Sequence, residues 1–293
     1  MLLVTFEKDQ DHRVGLLDRN TGWVLDLSQA APDLPRNMTD FIAAGSEALV
    51  AARRAMEAND SARIAPDEVC LLAPIPRPRR NIFCIGKNYR DHLNEIKSLS
   101  AGGSAEPEYP IVFTKAPSTV IGQGQAIPSF LDPTGTTDYE GELAVVIGKG
   151  GRGISRTEAM DHVYGYTVLN DVTSRALQQR HAQWFLGKSL DGFCPMGPAI
   201  LTADAVPDVA RLRVQTWVNG ELRQDGCVGD LIFDIPSLIE TLSAGITLEP
   251  GDIIATGTPA GVGAGFSPPK FLKPGDIVTT CIEPIGRLEN PVG

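Results

Sequence analysis

Glu140 and Glu142 stand two residues apart at the head of a wholly apolar run, Leu143-Ala-Val-Val-Ile147. The β-branched content of that run and the closing Gly148-Lys-Gly-Gly151 mark a buried strand. Side chains alternate across a strand, so both carboxylates face one way with Gly141 between them. Burying charge is costly unless it is paired or bound to a cation. The context recurs at Asp171, where the apolar stretch Tyr166-Thr-Val-Leu169 ends in Asn170-Asp171. An isolated Glu-x-Glu is ordinarily a pair of edge-strand charges meeting Lys or Arg; the recurrence at Asp171 favours a metal ion. Glu140, Glu142 and Asp171 form an all-oxygen set with no nearby Cys or His, which suits Mg²⁺, Mn²⁺ or Ca²⁺ better than zinc.

The chain has four histidines, and His92 lies three residues before Glu95. On a helical turn the two share a face. A carboxylate beside an imidazole fixes its tautomer and raises its pKa, which suits a water-activating base. The polar segment Lys97–Glu108 that follows has the composition of a flexible active-site lid. Positive charge near the acids comes from Arg175, Arg180 and Lys188, the last flanked by the aromatics Trp184 and Phe185. An arginine fork suits a substrate carboxylate. The run Gly251-Asp-Ile-Ile-Ala-Thr-Gly-Thr-Pro-Ala-Gly-Val-Gly263 lacks the Lys-Ser/Thr of a phosphate loop, so nucleotide binding is rejected there. A small-carboxylate contact through Thr258 and backbone N–H groups stays open. No Gly-x-Ser-x-Gly elbow is present, and Cys84 and Cys194 sit in apolar strand contexts as packing residues.

A length of 293 residues accommodates one large domain, or a small one plus a medium one. Hydrophobic content of 42% and charged content of 21% are ordinary for a globular protein. The net charge of −10 argues against nucleic acid or an anionic membrane as partner. Five scattered cysteines without a CxxC favour a reducing compartment, and no apolar run reaches the ~20 residues of a membrane span. A cytoplasmic location is expected.

The elements that must position these residues fall into two blocks. Leu2–Phe6, Val14–Leu17 and Trp23–Leu27 read as an antiparallel meander, followed by one helical stretch from an Asn37 cap to about Ala58. The Pro- and Arg-rich connector 72–81 places a domain boundary near residue 75, giving a small N-terminal α+β domain (1–75) and a catalytic domain (76–293). The second block alternates short strands with Gly and Pro turns, and has helical stretches only near 156–162, 173–183 and 235–243. That is a β-rich α+β fold rather than a doubly wound sheet.

Six collinear motifs resemble the fumarylacetoacetate hydrolase family, in its acylpyruvase and hydroxymuconate-isomerase-like branch. They are Gly-Lys-Asn-Tyr-x-Asp-His-x-x-Glu, Tyr-Glu-Gly-Glu-Leu-Ala-Val-Val-Ile-Gly-Lys, Asn-Asp-Val-Thr-x-Arg, Gly-Lys-Ser-Leu-Asp, Val-Asn-Gly-Glu and Pro-Gly-Asp-x-Ile-x-Thr-Gly-Thr-Pro-x-Gly-Val-Gly. Together they span about residues 80–292. The resemblance implies a rolled β-sandwich or barrel core, a homodimer and a bound Mg²⁺ or Mn²⁺. It makes Glu140, Glu142 and Asp171 the metal ligands and His92 with Glu95 the water-activating lid dyad. Lys188 becomes the group polarising the reacting oxygen, with Arg175, Gln178 and Thr258 as substrate contacts. The expected reaction is hydrolysis of a C–C bond in a 2,4-dioxo acid of the acylpyruvate type. Decarboxylation of an oxaloacetate-type 2-oxo acid and dienoate isomerisation are alternatives at the same metal site; a binding protein with a structural cation is a third. Two departures, Ala176 where relatives carry an acid and Val228-Gly-Asp-Leu-Ile-Phe233 where many carry Thr-x-x-Met-Ile-Phe, fall on the substrate side.

Overall fold

The computed structural model describes residues 1–58, 61–97 and 106–293, with backbone alone for Ile96 and Lys97. The segment Lys97–Glu108 expected as a lid therefore lies largely outside the described residues. A mixed sheet of 12 strands forms the core, with β-structure dominating an α+β whole. Along its main path the order is Arg63–Ile64, Val24–Asp26, Asp11–Leu17, Leu2–Lys8, Cys194–Thr202, Val163–Asn170, Gly141–Ile147, Ile253–Ala255, Ile82–Gly86 and Ile111–Lys115. The N-terminal meander forms as its alternation predicts. Its first strand also pairs with Cys194–Thr202 through Leu2↔Leu201 and Leu3↔Ile200, so hydrogen bonding is continuous between the two blocks.

Both faces of this sheet are covered. On one face Leu143, Val145, Tyr166 and Val168 share a core with Val214, Ile282 and Leu288 of a second, four-stranded antiparallel sheet. On the other, Ala144, Val146, Leu169 and Ile200 pack with Phe41, Ile42, Ala48 and Ala52 from the N-terminal helices. Strand Gly141–Ile147 is accordingly buried at every position. At Gly141 the second sheet comes close: a Cβ there would sit 2.2 Å from Thr216 Oγ1. The glycine between the two glutamates thus belongs to sheet packing, while its neighbours turn to the opposite face.

Several elements differ from expectation. The stretch 37–58 is two helices, Met38–Ala43 capped by Asn37 and Gly45–Ala58, because Gly45 adopts φ +67° between them. The stretch 156–162 contains only the 3₁₀ turn Ala159–His162. The stretch 173–183 divides into a short strand, Thr173–Ser174, and helix Arg175–Arg180. The stretch 235–243 is a helix as expected, capped by Asp234. Cys194 lies in a strand, as its apolar context suggests; that strand runs on to Thr202 through Pro195 and Pro198, a length and a central place in the sheet that prolines ordinarily argue against.

Candidate active site

The charged cluster occupies the end of the sheet face on which the helix-side apolar cover stops. Gly141↔Asn170 is the last rung between strands Gly141–Ile147 and Val163–Asn170, and the Asp171 N–H donates to Glu140 O at 2.8 Å. Asn170 Oδ1 accepts from the Glu140 N–H at 2.9 Å, fixing the strand end from its side chain. Through this frame Glu140, Glu142 and Asp171 each offer an oxygen within 4.8 Å of the others, all buried.

Cations surround two of the three acids. Lys188 Nζ donates to Glu140 Oε2 and to Asp171 Oδ2, both at 2.7 Å. Arg175 Nη1 pairs with Glu140 Oε1 at 2.5 Å, while its Nε donates to Asp138 Oδ2 at 2.8 Å. Lys115, fully buried, donates to Asp171 Oδ1 at 2.7 Å, to Val172 O at 3.0 Å and to Lys188 O. Burial pushes the Glu140 carboxyl up, but Lys188 and Arg175 overcome it and hold it well below the usual carboxylate range. Burial likewise opposes the Lys188 ammonium, yet Asp171 and Glu140 raise its pKa above the ordinary lysine value. Lys188 is therefore a fixed cation.

Glu142 is held differently. Among the described residues its one hydrogen-bond donor is the Gly257 N–H at 2.8 Å. Burial first, then Asp171 and Glu140, push its carboxyl well above the usual range. A buried carboxylate facing two others with a single donor is what a divalent cation would relieve, so the three oxygens fit such an ion by donor type and by charge.

His92 and Glu95 sit on helix Arg90–Lys97. His92 Nδ1 lies 3.1 Å from Glu95 Oε2, and Glu95 Oε1 accepts from the Gly261 N–H at 2.9 Å. With Glu95 accepting at this contact, the neutral ring carries its hydrogen on Nδ1 and presents Nε2 as the acceptor. Gly265 packs so closely on Glu95 that a Cβ there would lie 2.0 Å from Oε1. The Gly-rich turn therefore spends its N–H groups internally: Gly257 on Glu142, Gly261 on Glu95, Gly263 and Ala264 on Asp138.

A cavity of about 270 Å³ joins these groups, lined by His92, Glu140, Glu142, Arg175, Gln178, Lys188 and Thr258 among others. Gln178 Oε1 accepts from Arg175 Nη1 at 3.3 Å. The Thr258 hydroxyl donates to Gly141 O at 2.9 Å and accepts from Gln224 Nε2 at 2.7 Å, so no hydroxyl proton remains for an anion. The sheet end brings Glu140, Glu142, Asp171, Arg175 and Lys188 together, and His92, held by Glu95 behind it, lines the cavity with them. Arg180 is exposed in the last turn of its helix and is not among the cavity's lining residues. Sequence reading missed Lys115 and Asp138; the signal for Lys115 was a lysine closing the strand Ile111-Val-Phe-Thr-Lys115. Cys84 and Cys194 are buried, and burial pushes the Cys194 thiol up to about 12.

This site on this sheet defines a class. The chain belongs to the fumarylacetoacetate hydrolase family: residues 81–293 match the family's fumarylacetoacetate (FAA) hydrolase C-terminal domain. Among its relatives, the oxaloacetate tautomerase YisK of Bacillus subtilis is 52% identical over 284 residues, covering 92% of this chain and 93% of that protein. The fumarylacetoacetate hydrolase of psychrophilic Exiguobacterium antarcticum is 43% identical with a TM-score of 0.85, covering 100% of this chain and 99% of that one. The maleylpyruvate hydrolase of Sphingobium sp. SYK-6, solved with manganese(II) and pyruvate, is 32% identical with a TM-score of 0.81, covering 100% and 98%. Among the described residues, no helix is long and apolar enough to cross a membrane.

Proposed function

We propose that this protein is a divalent-metal-dependent enzyme that interconverts the keto and enol forms of a small 2-oxo acid of the oxaloacetate class. The observation that carries this reading is the triad of Glu140, Glu142 and Asp171, with Glu142 paired to no cation among the described residues, beside a His–Glu pair whose His92 lines the same small cavity as Glu140 and Glu142. Its specificity for oxaloacetate is supported by the 52% identity to a tautomerase over nearly the whole chain.

Glu140, Glu142 and Asp171 would hold the ion, which when bound supplies Lewis-acid polarisation of the 2-oxo oxygen. Lys188 has three donors, of which Glu140 and Asp171 use two; the third hydrogen-bonds the negative charge that develops on that oxygen. His92 Nε2 takes the proton from the carbon next to the carbonyl, and the imidazolium returns it to the oxygen to complete the enol. Glu95 stabilises the imidazolium and keeps the ring's orientation. Arg175 keeps Nη2 buried with no hydrogen-bond partner among the described residues, a donor suited to the substrate's 1-carboxylate.

A second reading, hydrolysis of a C–C bond in an acylpyruvate, is favoured by the same dyad, since His92 oriented by Glu95 is also placed to take a proton from water. The two separate in one assay. Chelator-stripped protein is given Mg²⁺ or Mn²⁺ with enol oxaloacetate, and enol loss and pyruvate release are followed together; acetylpyruvate and fumarylpyruvate are run in parallel. Metal-dependent enol loss without pyruvate supports the tautomerase. Pyruvate from the acylpyruvates supports the hydrolase, and pyruvate from oxaloacetate would make the enzyme a decarboxylase. No metal-dependent turnover of any of these substrates sinks both readings. His92→Ala should lower kcat about 10²–10⁴-fold with metal binding retained.

A further inference from the structure

The cavity contains one lysine that the carboxylates do not use. Arg175 is ion-paired with Asp138 and Glu140, and Lys188 with Glu140 and Asp171; the donors they keep face the acid-triad end of the cavity. Lys87 lines the same cavity, half-buried, and has no hydrogen-bond or ion-pair partner among the described residues. Its backbone is at φ +56°, a left-handed conformation that is costly for any residue with a Cβ. The adjoining Asn88 enforces that turn. Buried, it donates from Nδ2 to Thr256 O at 2.7 Å and Phe233 O at 3.0 Å, and accepts at Oδ1 from the Phe233 N–H at 2.8 Å. Non-glycine residues held in such conformations by their surroundings concentrate at ligand contacts. An unpaired ammonium at the cavity wall, in an otherwise acidic protein, calls for an anion that arrives with the ligand.

We propose that Lys87 receives the second carboxylate of a 2-oxo dicarboxylate and so makes the enzyme selective for diacids over 2-oxo monoacids of similar size. The proposal rests on the reading of this cavity as a 2-oxo acid site. One carboxylate and the 2-oxo oxygen occupy the acid-triad side near Arg175, and the remaining carboxylate pairs with the Lys87 ammonium. An ammonium on a four-carbon stem is a point charge that needs no bidentate geometry, so it follows the far end of a short, mobile substrate. Inside a cavity such a charge-assisted contact outweighs its counterpart in water.

The test uses two ligands that have no hydrogen on C3 and cannot enolise: 3,3-difluoro-oxaloacetate and its monoacid counterpart 3,3-difluoro-2-oxobutyrate. Binding of each to the Mg²⁺-loaded protein is measured by calorimetry for wild type, Lys87→Met and Lys87→Arg. Wild type should prefer the diacid by about tenfold or more, the factor that about 1.4 kcal/mol supplies. Lys87→Met should abolish the preference without changing monoacid affinity, and Lys87→Arg should keep most of it. Equal binding of the two ligands by wild type, or a diacid preference that survives in Lys87→Met, would overturn the proposal. A parallel loss of both affinities in Lys87→Met would do the same, because it would mark a structural role. Oxaloacetate turnover is followed alongside. Selective binding without turnover removes the tautomerase reading and leaves the Lys87 assignment standing, whereas failure of both ligands to bind removes both.

Discussion

Asp132 and Glu142 are both buried carboxylates, and their surroundings hold them in opposite states. Asp132 accepts from the Thr134 N–H and hydroxyl at 3.0 and 2.6 Å, the Thr136 N–H at 2.9 Å, and the Thr137 and Ser174 hydroxyls at 3.0 and 2.8 Å. Burial pushes its carboxyl up, but these donors win and hold it below the ordinary value. Among the described residues Glu142 has one donor, with two carboxylates as neighbours, and it is held well above. Glu142 is the more deeply buried and faces like charge, so depth, neighbouring carboxylates and the number of donors together separate the two. A carboxylate satisfied by neutral donors ties loops together; one left short of them is ready for a cation.

The sharpest way to break that comparison is Glu142→Gln, which removes the repelling charge and one candidate metal ligand in a single step. Its kcat/KM should fall by about 10³-fold, equivalent to about 4 kcal/mol of lost transition-state stabilisation. The apoprotein should melt no lower than wild type, and the rise in melting temperature that Mg²⁺ produces should disappear. An apoprotein melting well below wild type would show that Glu142 is a structural group like Asp132.

Next in size is Lys115→Met. It leaves Asp171 with Lys188 as its one remaining cation, and breaking a buried pair from one side costs about 3–5 kcal/mol. Denaturant unfolding of the apoprotein should show that loss; added Mg²⁺ should restore part of it, because a dication replaces the missing charge. An unchanged unfolding midpoint would exclude Lys115 as the support of Asp171.

Asp132→Asn should be smaller, about 1–3 kcal/mol, with metal affinity unaltered. The sign of its pH dependence follows from the depressed folded-state pKa. The stabilisation is fully present above the unfolded value of about 3.9 and is lost as pH falls through the lower folded value. Melting curves of wild type and Asp132→Asn should therefore converge below about pH 4. A gap that stays constant into acid would mean that charge at Asp132 contributes nothing.

What was legible in the sequence follows from local pattern. The buried strand behind Glu140 and Glu142 could be read from five consecutive apolar residues, and the second one before Asp171 from its echo. The helix cap at Asn37 and the spacing of His92 and Glu95 needed only one turn of chain. Long-range consequences were not legible. Strand Cys194–Thr202 joins the meander to the rest of the sheet, yet its prolines disguise it, and only its partners on either side make it a strand. Lys115 drew no reading, because nothing local reveals that Asp171 lies across from it. The Gly-rich turn resembled an anion loop because it is one, although its anions are Glu142, Glu95 and Asp138 of the same chain.

That turn has a mechanical consequence. Across residues 257–264 a single stretch of backbone sets the position of one carboxylate of the triad, of the acid that orients His92, and of the acid that anchors Arg175. Three functions share one ruler, so they cannot drift apart separately. A shift of the turn would put all three out of register at once, and a change that spares it can reshape the substrate end of the cavity while the chemistry stays aligned.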